Sequence, residues 1–149
     1  MKAVIQRVKS ATVTTEGKEV SHIGHGLMIL IGIQKGDTAE DAAYLLKKIP
    51  RLRIFPDKDG VMNLDVAQVG GDVMLVSQFT LLAQTKKGNR PSYIEAEEPE
   101  KAKAVYEEIC ESLSEILGKP VQRGIFGADM EIALTNMGPT TILLDSQAR

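Results

Sequence analysis

The sequence predicts an α+β fold: curved, mostly antiparallel or mixed β-sheets forming a barrel-like core, with two main helices on its faces. Three observations carry this. The 149 residues, 43% hydrophobic and 26% charged, have the length and balance of one globular domain spanning 1–149. Roughly seven or eight segments read as strands and only two as helices. Two helices cannot cross over that many parallel strands, so most strand neighbours must pair antiparallel.

In chain order, Val4 to Thr14 alternates in polarity and reads as a strand. Glu16-Gly17-Lys18 is turn-like, and Glu19 to Ile23 pairs back as a hairpin. Gly26 to Ile33 is a continuous apolar run of the length of a strand buried on both faces. Asp37 is the expected N-cap of the first helix, with Glu40 three residues on as in a capping box. Ala39, Ala42, Ala43, Leu46 and Ile49 form its apolar face, and Pro50 stops it. Leu52 to Phe55 is a short strand, and Pro56 to Gly60 a turn. Asp72 to Leu81 is a second buried strand, followed by a basic loop, Thr85 to Ser92. The second helix starts near Pro99, a favoured first-turn residue. Its stripe is Ala102, Val105, Tyr106, Ile109, Leu113, Ile116 and Leu117, capped by Gly118 and stopped by Pro120. Val121–Phe126, Met130–Met137 and Thr141–Leu144 are three closing strands, with Gly138-Pro139 as a rigid turn between the last two.

Composition excludes several classes. A lone cysteine, Cys110, cannot make an internal disulfide, so a secreted disulfide scaffold is out and a reducing, cytoplasmic setting is expected. The opening Met1-Lys2-Ala3-Val4-Ile5-Gln6-Arg7 breaks its apolar run too early for a signal peptide. No stretch approaches the ~18 apolar residues of a membrane span. A net charge of −2 neither announces nor excludes a nucleic-acid partner, because such binding depends on a local patch.

Familiar catalytic residues are scarce. His22 and His25 form an H-x-x-H, but zinc would need a third ligand, and they read as turn histidines. Cys110 reads as a small buried thiol in a helix rather than a nucleophile. The glutamates of 95–100 and 107–115 read as a solvated helix face. No phosphate-binding or dinucleotide fingerprint is present. Two segments stand out. In Ser77-Gln78-Phe79-Thr80-Leu81 an apolar strand turns polar; alternation puts Gln78 with Thr80 and Ser77 with Phe79. Buried polar groups need partners, which leaves a structural and a functional reading open. In Asn136-Met137-Gly138-Pro139-Thr140-Thr141, a tight hairpin is the simplest account, and X-Pro is where a cis peptide is cheap.

SQFTL at 77–81 together with N-x-G-P-x-T at 136–141 resembles the paired signature motifs of the D-aminoacyl-tRNA deacylases. MKAVIQRV, IGHGLMILIG, LRIFPD, GNRPS and GIFGADM follow in the order that family shows, over residues 1 to about 145. The resemblance implies a homodimer with active sites at the interface and no metal or organic cofactor. It implies hydrolysis of the ester joining a D-amino acid, or glycine, to the 3′-terminal adenosine of tRNA. It implies a cis Gly138-Pro139 peptide that enters the partner subunit's site, holds the substrate amino group and excludes an L side chain. Ser77, Gln78, Phe79 and Thr80 would surround the ester and ribose, and Phe126, Gly127 and Met130 the adenine, while Asn136 would join Gly138 and Pro139 in substrate binding and chiral selectivity. An activated ester needs little acid–base help, so the ribose 2′-hydroxyl could activate water while Thr80 and backbone amides position and polarise. A nucleophilic Thr80 is the competing mechanism, without an evident base. Lys86, Lys87 and Arg90, with Arg7 or Arg53 where the fold brings them near, are the candidate tRNA phosphate contacts.

Met137, Thr140 and Arg123 depart from residues common in the family's motifs. A related branch holds the Gly-Pro peptide trans and accepts small L-residues. The alternatives are thus a deacylase of relaxed chirality, a non-enzymatic nucleic-acid-binding module, and a metal hydrolase using His22 and His25.

Overall fold

A computed structural model describes residues 1–149. Its frame is a mixed sheet organised around β1 (Lys2–Thr15). One edge of β1 pairs antiparallel with β8 (Glu131–Asp145) along nearly its whole length. The other edge pairs antiparallel with β3 (Gly26–Gly32) and then β2 (Lys18–Ile23). Ile5 therefore faces Ile29 on one side and Ile142 on the other. β6 (Asp72–Ser77) joins β3 in parallel, and the short β7 (Gln122–Arg123) joins β6 in parallel. Ser21 Oγ donates to the Arg123 carbonyl at 2.7 Å, which draws β2 towards β7 and nearly closes the sheet into a barrel. The expected α+β architecture is the one found.

Along the apolar run at 26–33 both faces of β3 are buried except at Leu30, which is half-buried. Leu27, Ile29 and Ile31 face the helices, together with Ile5, Leu75, Leu45, Tyr106, Ile109 and Leu113. Met28 points the other way, into the barrel, with Val8, Val13, Met74 and Val76. An extra residue in β1, Lys9, shifts its register against β8, so Val8 and Val13 reach the same interior despite their different parity.

Helix α1 (Ala39–Lys48) corrects the expected start. Thr38 is its N-cap and Asp41 completes the capping box. Asp37 is unavailable: its carboxylate accepts from the Met1 amino group at 2.7 Å and from the Gln34 N–H at 2.7 Å. The buried face is correspondingly Asp41, Leu45 and Ile49, while Ala39 and Ala43 are not buried. Pro50 sits inside a 3-10 turn, Ile49–Arg51, that ends the helix. The strand expected at 52–55 shrinks to β4 (Phe55–Pro56), paired with β5 (Met62–Leu64) as a hairpin. Helix α2 (Pro99–Leu117) follows the sequence closely, ending at Gly118 with φ +66°; of its expected stripe, Ile116 is exposed.

Three strand expectations change. β6 stops at Ser77 rather than Leu81, and Phe79–Leu82 winds into a 3-10 turn. Of Val121–Phe126 only Gln122 and Arg123 pair. Gly138-Pro139 does not make a hairpin: both flanks belong to one strand, β8, and both pair with β1. Gln6 faces Thr141 and Val8 faces Asn136, so Met137, Gly138, Pro139 and Thr140 stand against Arg7 alone. These residues leave the ladder as an excursion towards solvent, in which the Gly138-Pro139 peptide is cis.

Candidate active site

The end of β6 creates the site. The Gln78 N–H donates to the Ile31 carbonyl at 2.7 Å, the last rung beside β3, and the chain then turns. The turn packs so closely on β3 that a Cβ at Gly32 would meet the Gln78 carbonyl oxygen at 2.9 Å and strike the Leu82 side chain. Strand alternation therefore stops applying at Gln78. Gln78 and Thr80 still meet, because Gln78 Nε2 donates to Thr80 Oγ1 at 2.6 Å. Phe79 and Thr80 open the turn, where a 3-10 helix offers no acceptor of its own for the first N–H groups.

This corner opens on a cavity of about 590 Å³. Its floor is Ile31, Val76, Ser77 and Gln78; one wall is Tyr93, Ala96, Pro99 and Ala102; the other is Phe126 to Met130. The Tyr93 wall is held by Glu97 N–H donating to the Ile33 carbonyl at 2.9 Å and Lys35 N–H to that of Glu95 at 2.9 Å. The opposite wall hangs on Met130. Its sulfur accepts from the Ile125 N–H at 3.4 Å, and a Cβ at Gly124 would lie 2.6 Å from it. Phe126 leans on Tyr106 with ring centroids 5.9 Å apart, and the buried Tyr106 hydroxyl donates to the Leu75 carbonyl at 2.7 Å. Phe79, 57% exposed, packs edge-on to Tyr93 at 5.0 Å and forms the lip.

Four charged residues line the cavity: Lys35, Glu97, Glu98 and Asp129. Lys35 pairs with Glu98 at 3.2 Å. Glu97 lies 2.7 Å from Lys101, whose hydrogen bond keeps its carboxyl below the usual range, so it stays ionised and is a weak base. No histidine or cysteine lines the cavity. Cys110 is buried beneath the sheet, and that burial pushes its thiol up, away from thiolate chemistry. His22 Nδ1 shares a hydrogen bond with Thr12 Oγ1 at 2.8 Å while His25 packs edge-on to Phe55 at 5.1 Å, so the two rings address different partners. An apolar slot with a few backbone and amide groups at one end suits a planar base and a polarisable ester.

Of the residues singled out from the sequence, Ser77, Gln78, Phe79, Phe126, Gly127 and Met130 line this cavity, and Thr80 adjoins it through Gln78. Asn136, Gly138 and Pro139 do not line it; they lie exposed on β8. Lys86, Lys87 and Arg90 stand outside it, on a loop closed by the Gln84–Ser92 bridge and tied to the lip through Tyr93. Arg7 is committed elsewhere: Nε donates to the Met137 carbonyl at 3.1 Å and Nη1 to that of Ile54 at 2.6 Å. A Cβ on Gly138, at φ +121°, would lie 2.9 Å from Arg7 Nη2 and 2.8 Å from Thr140 Oγ1. Arg123 pairs with Glu111 at 2.6 Å, away from the cavity. Sequence reasoning missed the Tyr93–Ala102 wall, which carries no motif. It also missed Tyr106 as the support of Phe126, although the helical stripe had placed it in the core.

Comparison with known proteins finds relatives along nearly the whole chain. Residues 4–145 match the family model described as D-Tyr-tRNA(Tyr) deacylase. The chain is 56% identical over 147 residues to the D-aminoacyl-tRNA deacylase of Parabacteroides distasonis, covering 99% of this chain and 98% of that one. It is 53% identical over 146 residues to the enzyme of that name from Porphyromonas gingivalis, covering 98% and 97%. Among solved structures, the c-Myc DNA Unwinding Element Binding Protein superposes with a TM-score of 0.92 at 37% identity, over 97% of this chain and 98% of that chain. A probable eukaryotic D-amino acid tRNA deacylase shares the fold, with a TM-score of 0.80 at 16% identity, over 96% and 97%. A sequence that matches deacylases from end to end, folded around this slot, is a hydrolase acting on the ester of aminoacyl-tRNA: the chain belongs to the D-Tyr-tRNA(Tyr) deacylase family.

Proposed function

We propose that residues 1–149 act as one cytoplasmic deacylase domain that removes D-amino acids, and glycine, from the 3′-terminal adenosine of tRNA. The observation that carries this is the cavity itself: Ser77, Gln78 and Phe79 meet Phe126, Gly127 and Met130 around a largely apolar slot without histidine or cysteine, in which Glu97 and Glu98 are paired with Lys101 and Lys35. The adenine stacks in the slot against Phe126 and Met130. The ester lies over the turn, where the Phe79 and Thr80 N–H groups stabilise the oxyanion and Gln78 holds the Thr80 hydroxyl in place. The ribose 2′-hydroxyl of the substrate does the proton work, so no metal or organic cofactor is needed. Lys86, Lys87 and Arg90 contact phosphates of the acceptor end; none of them is in an ion pair that would neutralise it.

Chirality is enforced in trans. The Gly138-Pro139 excursion is exposed and lines no part of its own chain's cavity, so it serves the cavity of a second copy. Its carbonyls take the substrate amino group and occupy the space of an L side chain, while a D side chain points to solvent. A dimer also covers the apolar row that the sheet leaves open. Leu30, Val4 and Leu143 stand side by side across β3, β1 and β8, and Leu143 is 74% exposed. The test is release of D-Tyr, glycine and L-Ala from matched tRNAs by the purified protein. Release of D-Tyr and glycine but not L-Ala is the expected result. Equal release of L-Ala would leave the deacylase without its chiral gate.

The second reading is a nucleic-acid-binding protein without catalysis, favoured by the 37%-identical relative described as a DNA unwinding element binding protein. Stoichiometric binding of D-Tyr-tRNA with no ester turnover would establish it.

A further inference from the structure

A second cleft lies beside the β4–β5 hairpin. It has a volume of about 550 Å³ and is lined by Arg51, Arg53, Asn63, Leu64, Asp65 and Gln68. Its lining carries two guanidinium groups against one carboxylate. Arg51 is exposed, and neither Arg51 nor Arg53 is in an ion pair. Asp65, the one acidic lining residue, accepts from the Gln68 N–H at 2.9 Å. Arg53 is held rather than free. Its Nε donates to the Asn63 carbonyl at 2.9 Å and its Nη2 to Asn63 Oδ1, which leaves Nη1 unengaged. Asn63 is fixed in turn by Asp57 Oδ2 at 3.1 Å. The result is an oriented guanidinium beside one on a free stem, with the Gln68 amide NH₂ adjacent. That donor set fits an anion with several acceptor oxygens. The space exceeds a single ion and admits a chain of linked groups.

Its position says which anion. Ile54, the residue after Arg53, gives its carbonyl to Arg7 Nη1 at 2.6 Å, and Arg7 Nε holds the Met137 carbonyl at 3.1 Å. One guanidinium thus joins the cleft's own segment to the Gly138-Pro139 excursion. We infer that the Arg51–Arg53 cleft is a phosphodiester-binding site for the RNA of the substrate. It rests on the deacylase reading above: where the excursion of one protomer enters the other's cavity, the cleft comes to the mouth of that cavity. Each aminoacyl-tRNA is then hydrolysed on one protomer while its backbone is gripped by the other.

The experiment compares D-Tyr-tRNA with 3′-O-D-tyrosyl-adenosine, which has no phosphodiester, for wild type, Arg51→Ala, Arg53→Gln and the double variant. The expected result is a KM for D-Tyr-tRNA raised about tenfold in the double variant with kcat within about twofold, and an unchanged kcat/KM for the adenosine ester. The slope of log KM against log salt falls by roughly one for each phosphate that is no longer neutralised. Lys18→Ala, an exposed charge away from the cleft, moves neither quantity. Arg51 makes no hydrogen bond that folding depends on, so Arg51→Ala alone keeps the test valid if Arg53→Gln loosens the hairpin. An unchanged KM and slope in Arg51→Ala and the double variant would overturn the inference. So would an equal loss on both substrates, which means damage to the cavity. Saturable binding of inorganic phosphate at the cleft with an unchanged tRNA KM would mark a free-anion site and overturn the RNA assignment. Wild-type inactivity on both substrates would instead overturn the deacylase reading, and this inference with it.

Discussion

Replacing Arg7 with methionine keeps most of the side chain's apolar stem and removes its guanidinium. Two hydrogen bonds go with it, at 3.1 Å to the Met137 carbonyl and 2.6 Å to that of Ile54. A hydrogen bond from a charged donor contributes about 1.5–3 kcal/mol when sheltered and less in water. The Ile54 bond is partly buried and the Met137 bond exposed, so about 2 and about 1 kcal/mol are reasonable shares, roughly 3 kcal/mol together. Spread over the whole molecule, that lowers Tm by roughly 6–12 °C for a chain of this size. Confined to the excursion, it raises the released population by a factor on the order of 100 and appears as faster amide exchange at Thr140 and Thr141. Either way the excursion is no longer presented in one conformation, and the ratio of D- to L-aminoacyl-tRNA hydrolysis falls. The assays are thermal unfolding, hydrogen exchange and the paired D/L hydrolysis rates. Unchanged Tm, unchanged exchange and an unchanged D/L ratio in Arg7→Met would refute the idea that Arg7 fixes the excursion.

Gly32→Ala drives a methyl against the Gln78 carbonyl and the Leu82 side chain; it should cost about 1–3 kcal/mol of overpacking and lower kcat/KM by displacing the turn, so a wild-type kcat/KM would contradict the close approach. Thr80→Ala removes the acceptor for Gln78 Nε2 and should slow turnover by about tenfold, far less than loss of a nucleophile; a loss on the order of 10⁴-fold would make Thr80 the nucleophile. Asp41 is held down to about 2, chiefly by the Thr38 backbone N–H, against an ordinary value of 3.8. A carboxyl lowered on folding stabilises above its unfolded value and loses that contribution as pH falls towards about 2. The unfolding free energy from urea titrations should therefore fall on acidification from about pH 5 to about pH 2, by on the order of 2 kcal/mol from this group, and Asp41→Asn should remove that part; parallel acid limbs would count against it.

Much of this was legible because local signals and tertiary context agreed. The 26–33 run reads as a doubly buried strand and is one, and Pro99 and Gly118 bracket α2 as their backbone preferences require. The misreadings share a cause: the winning partner is far away in sequence. Asp37 has the right chemistry for an N-cap, but the chain's first residue takes its carboxylate. A polar run after Met74–Val76 still looks like strand, and only Gly32 on the neighbouring strand exposes the turn. Gly138-Pro139 has the local form of a hairpin, yet β1 pairs with both flanks and keeps the chain running in one direction. The candidate site was found from its polar residues and by family resemblance. Its apolar wall at Tyr93–Ala102 has no signature, because any residues of suitable size fill such a wall.

Mixed dimers decide whether each site is completed by the second subunit. One variant carries Gly138→Val, which keeps its cavity and spoils its excursion; the other carries Gln78→Ala with Thr80→Ala, which spoils its cavity and keeps its excursion. Each homodimer should be severely impaired in chirally selective hydrolysis of D-Tyr-tRNA. Subunit exchange should restore one intact composite site per heterodimer, and with it up to about half of the wild-type rate per dimer at full D-selectivity. No recovery after demonstrated exchange, or a Gly138→Val homodimer that is as selective as wild type, would contradict a shared site.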